Sequence, residues 1–283
     1  MQPRRHLTLP GGGRAAWLET EGPGAMPLVL LHGGGFDHAG LSWGPALARL
    51  GGRVRLLAPD LPGYGESTAL GPVQTIPDLA GWVLDWMDGA GIDSCDLGGL
   101  SMGGGAALWL ALEHPERVRR LIPVASYGMM ARAPFHYLAH RAGRWKSRAF
   151  AYRAAARSDR LARIGLRLFG YADASRITAE TVAELREVAR IQAGRQSFSA
   201  FLKGEIQRRH TTTNLTDRLP DITQPTLLIH GTRDPLVPVL NARDAAATIP
   251  DCRYLELDAA HWPIREHPDE TAAAIADFLD LSS

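Results

Sequence analysis

Residues 98–105 read GGLSMGGG, one serine, Ser101, among five glycines. Such a stretch can be a loose loop, or backbone packed too closely for side chains. The flanking sequence separates the two. Cys95–Leu97 before it is strand-like, and Met102–Glu113 after it carries a helical pattern. Gly99-Leu100-Ser101-Met102-Gly103 fits G-x-S-x-G at the turn between them, the setting in which a serine projects above the end of a sheet. The residues two before and two after the serine then crowd one another, which calls for glycine at both. The serine itself is forced into strained backbone. The new helix aims free N–H groups at the same point and favours negative charge there. Gly104 and Gly105 fall in its first turn, where close packing on a strand explains them.

Outward from this turn, short apolar runs recur, each closed by a glycine or proline signal: LVLLHGGG (28–35), RVRLLAPDLPG (53–63), VRRLIPVAS (118–126), TLLIHGTRD (226–234) and CRYLELDAAH (252–261). Continuous rather than alternating apolar runs indicate strands buried on both faces, as in a parallel sheet. Helical spacing appears between them at Trp43–Leu50, Asp78–Met87, Asn241–Thr248 and Asp269–Leu279. His6–Leu9 and Arg14–Glu19 read as a hairpin through PGGG at the sheet's leading edge. The expectation is an α/β fold: a mostly parallel, eight-stranded sheet with helices on both faces.

The 283 residues are 45 % hydrophobic and 22 % charged, with a formal net charge of +1. That excludes extended disorder, and no global field points to nucleic acid. Two cysteines, Cys95 and Cys252, are too few for a disulfide framework and sit in no zinc spacing. The opening MQPRRHLTLPGGG has no apolar core of a signal peptide. No run approaches the ~18–20 apolar residues of a membrane span. A cytoplasmic protein is expected, and the sequence is silent on its oligomeric state.

The strand–helix alternation stops between about Ala131 and Leu215, a stretch that reads as a mainly helical insertion. From Ala131 to Tyr171 it carries nine arginines and Lys146 against one acid, Asp159. Arg153, Arg157, Arg160, Arg163 and Arg167 are spaced to form one helical face, with Leu161, Ile164 and Leu168 on an adjoining one. The next segment, Thr178–Arg195, contains Thr181-x-x-Glu184, a capping-box pattern, and Glu180, Glu184 and Glu187. A solvated basic face partly paired with that acidic helix accounts for the charges. Attraction of an anionic substrate or surface is the alternative.

A serine hydroxyl needs a base to become a nucleophile. For this turn the partners follow in the order Ser, Asp, His. Asp234 lies just past the strand-like TLLIHG and His261 past the last strand, on loops from the same end of a parallel sheet as Ser101. His261 would take the Ser101 proton; Asp234 would fix the imidazole tautomer. Asp258 is nearer His261 in sequence but sits at a strand edge. His230 reads as a packed residue, and His267 as the start of a surface helix. His136 and His140 share a helical face but lack the Glu of H-E-x-x-H, so no metal is expected. Developing negative charge needs preorganised donors. The Met102 N–H is one candidate and the Gly34 N–H the other, with Gly35 the near alternative. His32 braces this loop. Gly35, Phe36 and Trp262 are candidate pocket residues, although Phe36, Asp37 and His38 also read as a loop bracing the insertion and Trp262 as packing.

Together LLHGGG, PDLPGYGES (59–67), GLSMGG, HGTRDPLVP and AAHWPIREHPDE, in this order, resemble the α/β-hydrolase superfamily. The resemblance implies a core of residues 1–128 and 216–283, a helical cap or lid over 129–215, a substrate cleft between them, a Ser–His–Asp triad and no cofactor. Dehalogenases and epoxide hydrolases of the family carry aspartate at the position of Ser101. Esters, thioesters, lactones and some amides remain, and the expected partner is a small acyl substrate, which the arginines would suit if it were anionic. His261-Trp262-Pro263 is also similar to carbon–carbon bond hydrolases acting on vinylogous diketo acids, but their HGGGPGA-like loop is here HGGGFDHAG. That activity is the alternative enzyme reading, and a non-catalytic ligand-binding member of the fold is the alternative outside enzymes.

Overall fold

The computed structural model describes residues 4–68, 71, 73–144 and 148–281, so Lys146 of the basic stretch lies outside the described residues. The strands are β1 (Arg4–Thr8), β2 (Arg14–Thr20), β3 (Leu28–Leu31), β4 (Leu56–Asp60), β5 (Cys95–Leu100), β6 (Val118–Val124), β7 (Thr226–Gly231) and β8 (Cys252–Leu257). They form an eight-stranded sheet in the order β1-β2-β4-β3-β5-β6-β7-β8. β1, β2 and β4 pair antiparallel and the rest parallel. The hairpin expected from PGGG is therefore the sheet's edge.

Between β3 and β6 lie α1 (Ala39–Leu50), α2 (Ile76–Gly89) and α3 (Met102–Glu113). Between β6 and β7 come α4 (His136–Gly143), α5 (Arg148–Arg157), α6 (Asp159–Gly165), α7 (Ala179–Gln192) and α8 (Ser197–Glu205). After β7 follow α9 (Val239–Thr248), α10 (Pro263–Glu266) and α11 (Pro268–Phe278). The central strands are largely apolar because both faces are covered. Val29 and Leu31 of β3 pack in the cluster that holds Leu79 of α2 and Leu110 of α3. Leu28 and Leu30 point the other way, into the cluster of Leu47 from α1 and Ile275 from α11. That alternation follows from the two-residue period of a strand.

Two sequence expectations fail within the helical insertion. The five arginines do not share one helix. Ser158 accepts the Leu161 N–H and starts α6 afresh, so Arg153 and Arg157 belong to α5 and Arg160 and Arg163 to α6. A serine followed by an acid is a strong N-cap and breaks the run. Nor does Thr181-x-x-Glu184 act as a capping box. The cap of α7 is Thr178, whose hydroxyl accepts the Thr181 N–H at 3.1 Å, and Glu184 is paired with Arg265 at 2.7 Å. Among the described residues no acid of α7 forms an ion pair with the arginine stripe: Glu187 binds Arg190 of its own helix, Arg163 donates to the Ile177 carbonyl, and Asp159 is the acid that meets α7, through Arg186.

Register sets what stands at the sheet's end. Leu100 lies level with Val124, Val124 with Ile229, and Gly231 with Leu257. The chain after β5, β7 and β8 thus leaves the sheet on one side.

Candidate active site

Ser101 is the single residue between β5 and α3. Its backbone sits at φ 52°, ψ −114°, a region that side chains disfavour. The strain is held by the surrounding pairing. Its N–H donates to the Val124 carbonyl, and its own carbonyl accepts from Gly105 and Tyr127, all at 2.9 Å. A Cβ on Gly99 would fall on the Gly103 carbonyl and within 2.6 Å of the Gly104 nitrogen. A Cβ on Gly103 would come within 2.5 Å of the His32 carbonyl oxygen. The crowding read from G-x-S-x-G is present, and it also extends to the β3 loop.

Asp234 and His261 meet. His261 Nδ1–H donates to Asp234 Oδ2 at 2.7 Å, with both side chains buried. The other Asp234 oxygen accepts the N–H groups of Leu236 (2.7 Å) and Val237 (3.0 Å) in the proline-flanked turn. Burial pushes the Asp234 carboxyl upward, but the His261 ring, His230 and the Val237 N–H outweigh it and hold the pKa below its ordinary value. The carboxylate is therefore charged and aimed. Asp258 is exposed and bound to Arg233 at 2.7 Å. His230 is buried and donates through Nε2 to the Val237 carbonyl at 2.9 Å, and burial lowers its pKa. His267 caps the start of α11. His136 and His140 turn to the separate carbonyls of Gln207 and Ile206.

The Gly-rich loop after β3 approaches Ser101 closely, since a Cβ on Gly33 would lie 3.5 Å from the Ser101 Cβ. Its N–H groups are allotted one by one. Gly33 donates to Asp37 at 2.8 Å and Gly35 to the Tyr64 hydroxyl at 3.3 Å. Among the described residues the Gly34 and Met102 N–H groups have no acceptor. Gly35, the near alternative as a donor, is thus occupied. His32 braces the loop as expected: Nδ1–H donates to the Gly33 carbonyl at 2.7 Å, and Nε2 accepts the Leu61 N–H at 2.9 Å. Burial drives its pKa down to about 4, so the ring is neutral. Asp37 is buried too and accepts from Gly33, His38 and Ser42. Burial overrides those donors and raises its pKa to about 7.

Phe36 leans on Tyr152 of α5 with ring centroids 4.3 Å apart. Trp262 is buried against Gly170 and edge-on to Tyr171, 6.4 Å between centroids, so much of its face is spent on packing. Three participants were assigned no role from the sequence. Phe198 of α8 covers the loop, with its ring 2.5 Å from where a Gly34 Cβ would stand. Arg265 donates to the Leu41 carbonyl, Thr181 and Glu184. Glu266 accepts the N–H groups of Ala172, Asp173 and Ala260, the residue before His261. Each depends on a contact between distant segments, which no local pattern encodes.

A family model described as alpha/beta hydrolase fold matches residues 27–268. The chain is 30 % identical over 269 residues to 2-hydroxymuconate semialdehyde hydrolase of Pseudomonas putida, covering 93 % of this chain and 89 % of that one. It is 31 % identical over 275 residues to pimeloyl-[acyl-carrier protein] methyl ester esterase of Photobacterium profundum, covering 92 % and 97 %. Among solved structures, the enol-lactonase from Burkholderia xenovorans LB400 superposes with a TM-score of 0.77 at 25 % identity, over 98 % of this chain and 100 % of that one.

Proposed function

The chain belongs to the α/β-hydrolase fold family and is a hydrolase, and from that premise we propose that it cleaves a small carboxylic ester, thioester or lactone through an acyl-enzyme on Ser101. The observation that carries this reading is the buried Asp234–His261 hydrogen bond, at the end of the sheet where Ser101 stands on its strained turn. His261 Nε2 takes the Ser101 proton as Oγ attacks the carbonyl carbon. Asp234 keeps Nδ1 protonated and stabilises the imidazolium. The carbonyl oxygen, now anionic, is held by the Gly34 and Met102 N–H groups. His261 then protonates the leaving alcohol or thiol. Water, deprotonated by the same ring, attacks the acyl-enzyme, releases the acid and restores Ser101. Residues 129–215 act as a cap over the site, with Phe198, Phe36 and Gly35 as its near wall.

A fluorophosphonate probe and a p-nitrophenyl ester panel test this. Wild type is expected to label and turn over. Ser101→Ala should lose labelling and at least ~10³-fold in kcat. Full activity in Ser101→Ala would overturn the assignment.

A second reading is carbon–carbon bond hydrolysis, favoured by Trp262 directly after His261 and by the likeness to 2-hydroxymuconate semialdehyde hydrolase. It predicts bleaching of a coloured vinylogous diketo acid. Ready ester turnover without bleaching eliminates it.

A further inference from the structure

α6 carries a surface that neither the packing nor the acyl-enzyme chemistry uses. Gly165 and Leu166 both have right-handed helical angles, so the wider turn Leu166–Gly170 continues α6 without a break. Ala162, Leu166 and Gly170, spaced by four, are its buried residues. Ala162 and Leu166 join the cluster that holds Trp262, and the Gly170 carbonyl accepts the Trp262 N–H at 3.1 Å. Those contacts account for one face.

The outer face is apolar and open to water. Leu161, Ile164, Leu168 and Phe169 are each 42–59 % exposed. At about 100° per residue, the first three fall within about 60° of one another. Ten large apolar side chains are exposed among the described residues, and four of them lie within residues 161–169. Single exposed apolar residues are ordinary, but such a concentration marks an interaction surface.

Arg160, Arg163 and Arg167, all exposed, fill the adjoining arc of about 60°. Arg163 donates to the Ile177 carbonyl, while Arg160 and Arg167 have no hydrogen bond or ion pair among the described residues. The acid of this stretch, Asp159, is taken by Arg186. Arg167 also borders a cleft with Asp173 and Asp258, which pair with Arg176 and Arg233. The positive charge beside the apolar stripe is therefore uncompensated. α5, packed on α6, repeats the pattern, with Phe150, Arg153 and Arg157 exposed at spacings of three and four.

The occupant has to meet both halves of this face. A nucleic acid would pair with the arginines and leave the leucines in water. A second copy of this chain would set arginines against arginines. An anionic bilayer satisfies both, with lipid phosphates on the guanidinium groups and the apolar side chains in the acyl boundary below. We propose that the insertion docks on an anionic phospholipid bilayer through the outer face of α6 and its continuation, the helix lying in the headgroup layer. The docking surface stands independently of the acyl-enzyme reading.

The test is cosedimentation of the full chain with phosphatidylcholine vesicles, either pure or with about 30 mol % phosphatidylserine. Wild type is expected to bind the anionic vesicles, and to weaken as salt rises. The double variant Arg160→Gln/Arg167→Gln should lose about tenfold or more in partitioning, and so should Leu161→Gln/Leu168→Gln. All four side chains are exposed, so folding does not depend on them. Arg253→Gln, at an exposed arginine of β8, should bind as wild type does, and so should Ser101→Ala, whatever becomes of ester turnover. No binding by wild type would overturn the proposal. So would an equal loss in Arg253→Gln, which would reduce the effect to general charge, or undiminished binding by Leu161→Gln/Leu168→Gln. Retention of wild type by a DNA duplex, or dimerisation in light scattering, without vesicle binding would assign the face to another partner.

Discussion

His32 and Asp37 show how single buried groups set the Gly-rich loop. Both are almost fully out of water, and both meet Gly33, one through its carbonyl and one through its N–H. Their pKa values move in opposite senses. Folding raises Asp37 from 3.8 to about 7, so between those values the folded chain holds a proton the unfolded chain has lost, and stability falls as pH rises. Folding lowers His32 from 6.5 to about 4, so over that window stability rises with pH. The two slopes oppose each other, and removing one exposes the other. Asp37→Asn should therefore gain thermal stability relative to wild type as pH goes from about 4 to 7. Melting temperatures of both proteins across that range check this, and a constant difference counts against it. The sequence places both residues in the loop and reads His32 as a brace. It does not reveal that the Asp37 carboxyl lies in the same dry layer, because burial is a property of what packs on top.

Among the elements, α8 matters most to the site and was least visible beforehand. The sequence places it only within a mainly helical insertion, yet Phe198 lies directly over Gly34. Gly34 is thus constrained by contact and not by backbone angle. Gly34→Ala would drive a methyl into the Phe198 ring, displacing either the ring or the loop that presents the Gly34 N–H. Losing one oxyanion donor typically costs about 10²–10³ in kcat. Gly34→Ala should fall in that direction, and adding Phe198→Ala should restore part of the rate by making room. Steady-state kinetics on an ester decide it; no recovery in the double variant would show that the methyl acts other than through Phe198. The helices flanking the sheet, by contrast, were legible within a few residues, and Met102–Glu113 matched throughout. Those helices have one apolar face on the sheet, and that periodicity is written locally. The arginine stripe misled because the 3.6-residue spacing continues through Ser158 while the helix does not.

At the scale of the whole molecule, the insertion is tied to the core by the residues just after His261. Arg265 spans α1 and α7, and the Glu266 carboxylate gathers three N–H groups from Ala172, Asp173 and Ala260. The packing agrees, since Val182 and Leu185 of α7 share a cluster with Leu47 of α1. Glu266→Ala would leave those three donors without an acceptor. An unmet buried donor costs about 1–3 kcal/mol, and of the three the Ala260 N–H is the fully buried one, so a loss of about 1–3 kcal/mol is expected in chemical denaturation. Because Ala260 precedes His261, kcat should fall as well, and Glu266→Gln, which keeps one carbonyl oxygen, should fall between. An unchanged denaturation midpoint in Glu266→Ala would remove Glu266 from this role.

Short-range physics carried the order of strands and helices, the glycines around Ser101 and the succession Ser101, Asp234, His261. Side-chain periodicity and turn crowding act within a few residues, so they are written in the chain. Choices among nearby candidates needed three dimensions. Asp234 rather than Asp258 meets His261 because one turn is buried behind the sheet's end while the other faces water and Arg233. Gly34 rather than Gly35 keeps an open N–H because Tyr64, 29 residues along, takes the other. An acceptor, a dry environment or a covering ring is supplied by distant segments, and only folding brings them within reach of GGLSMGGG.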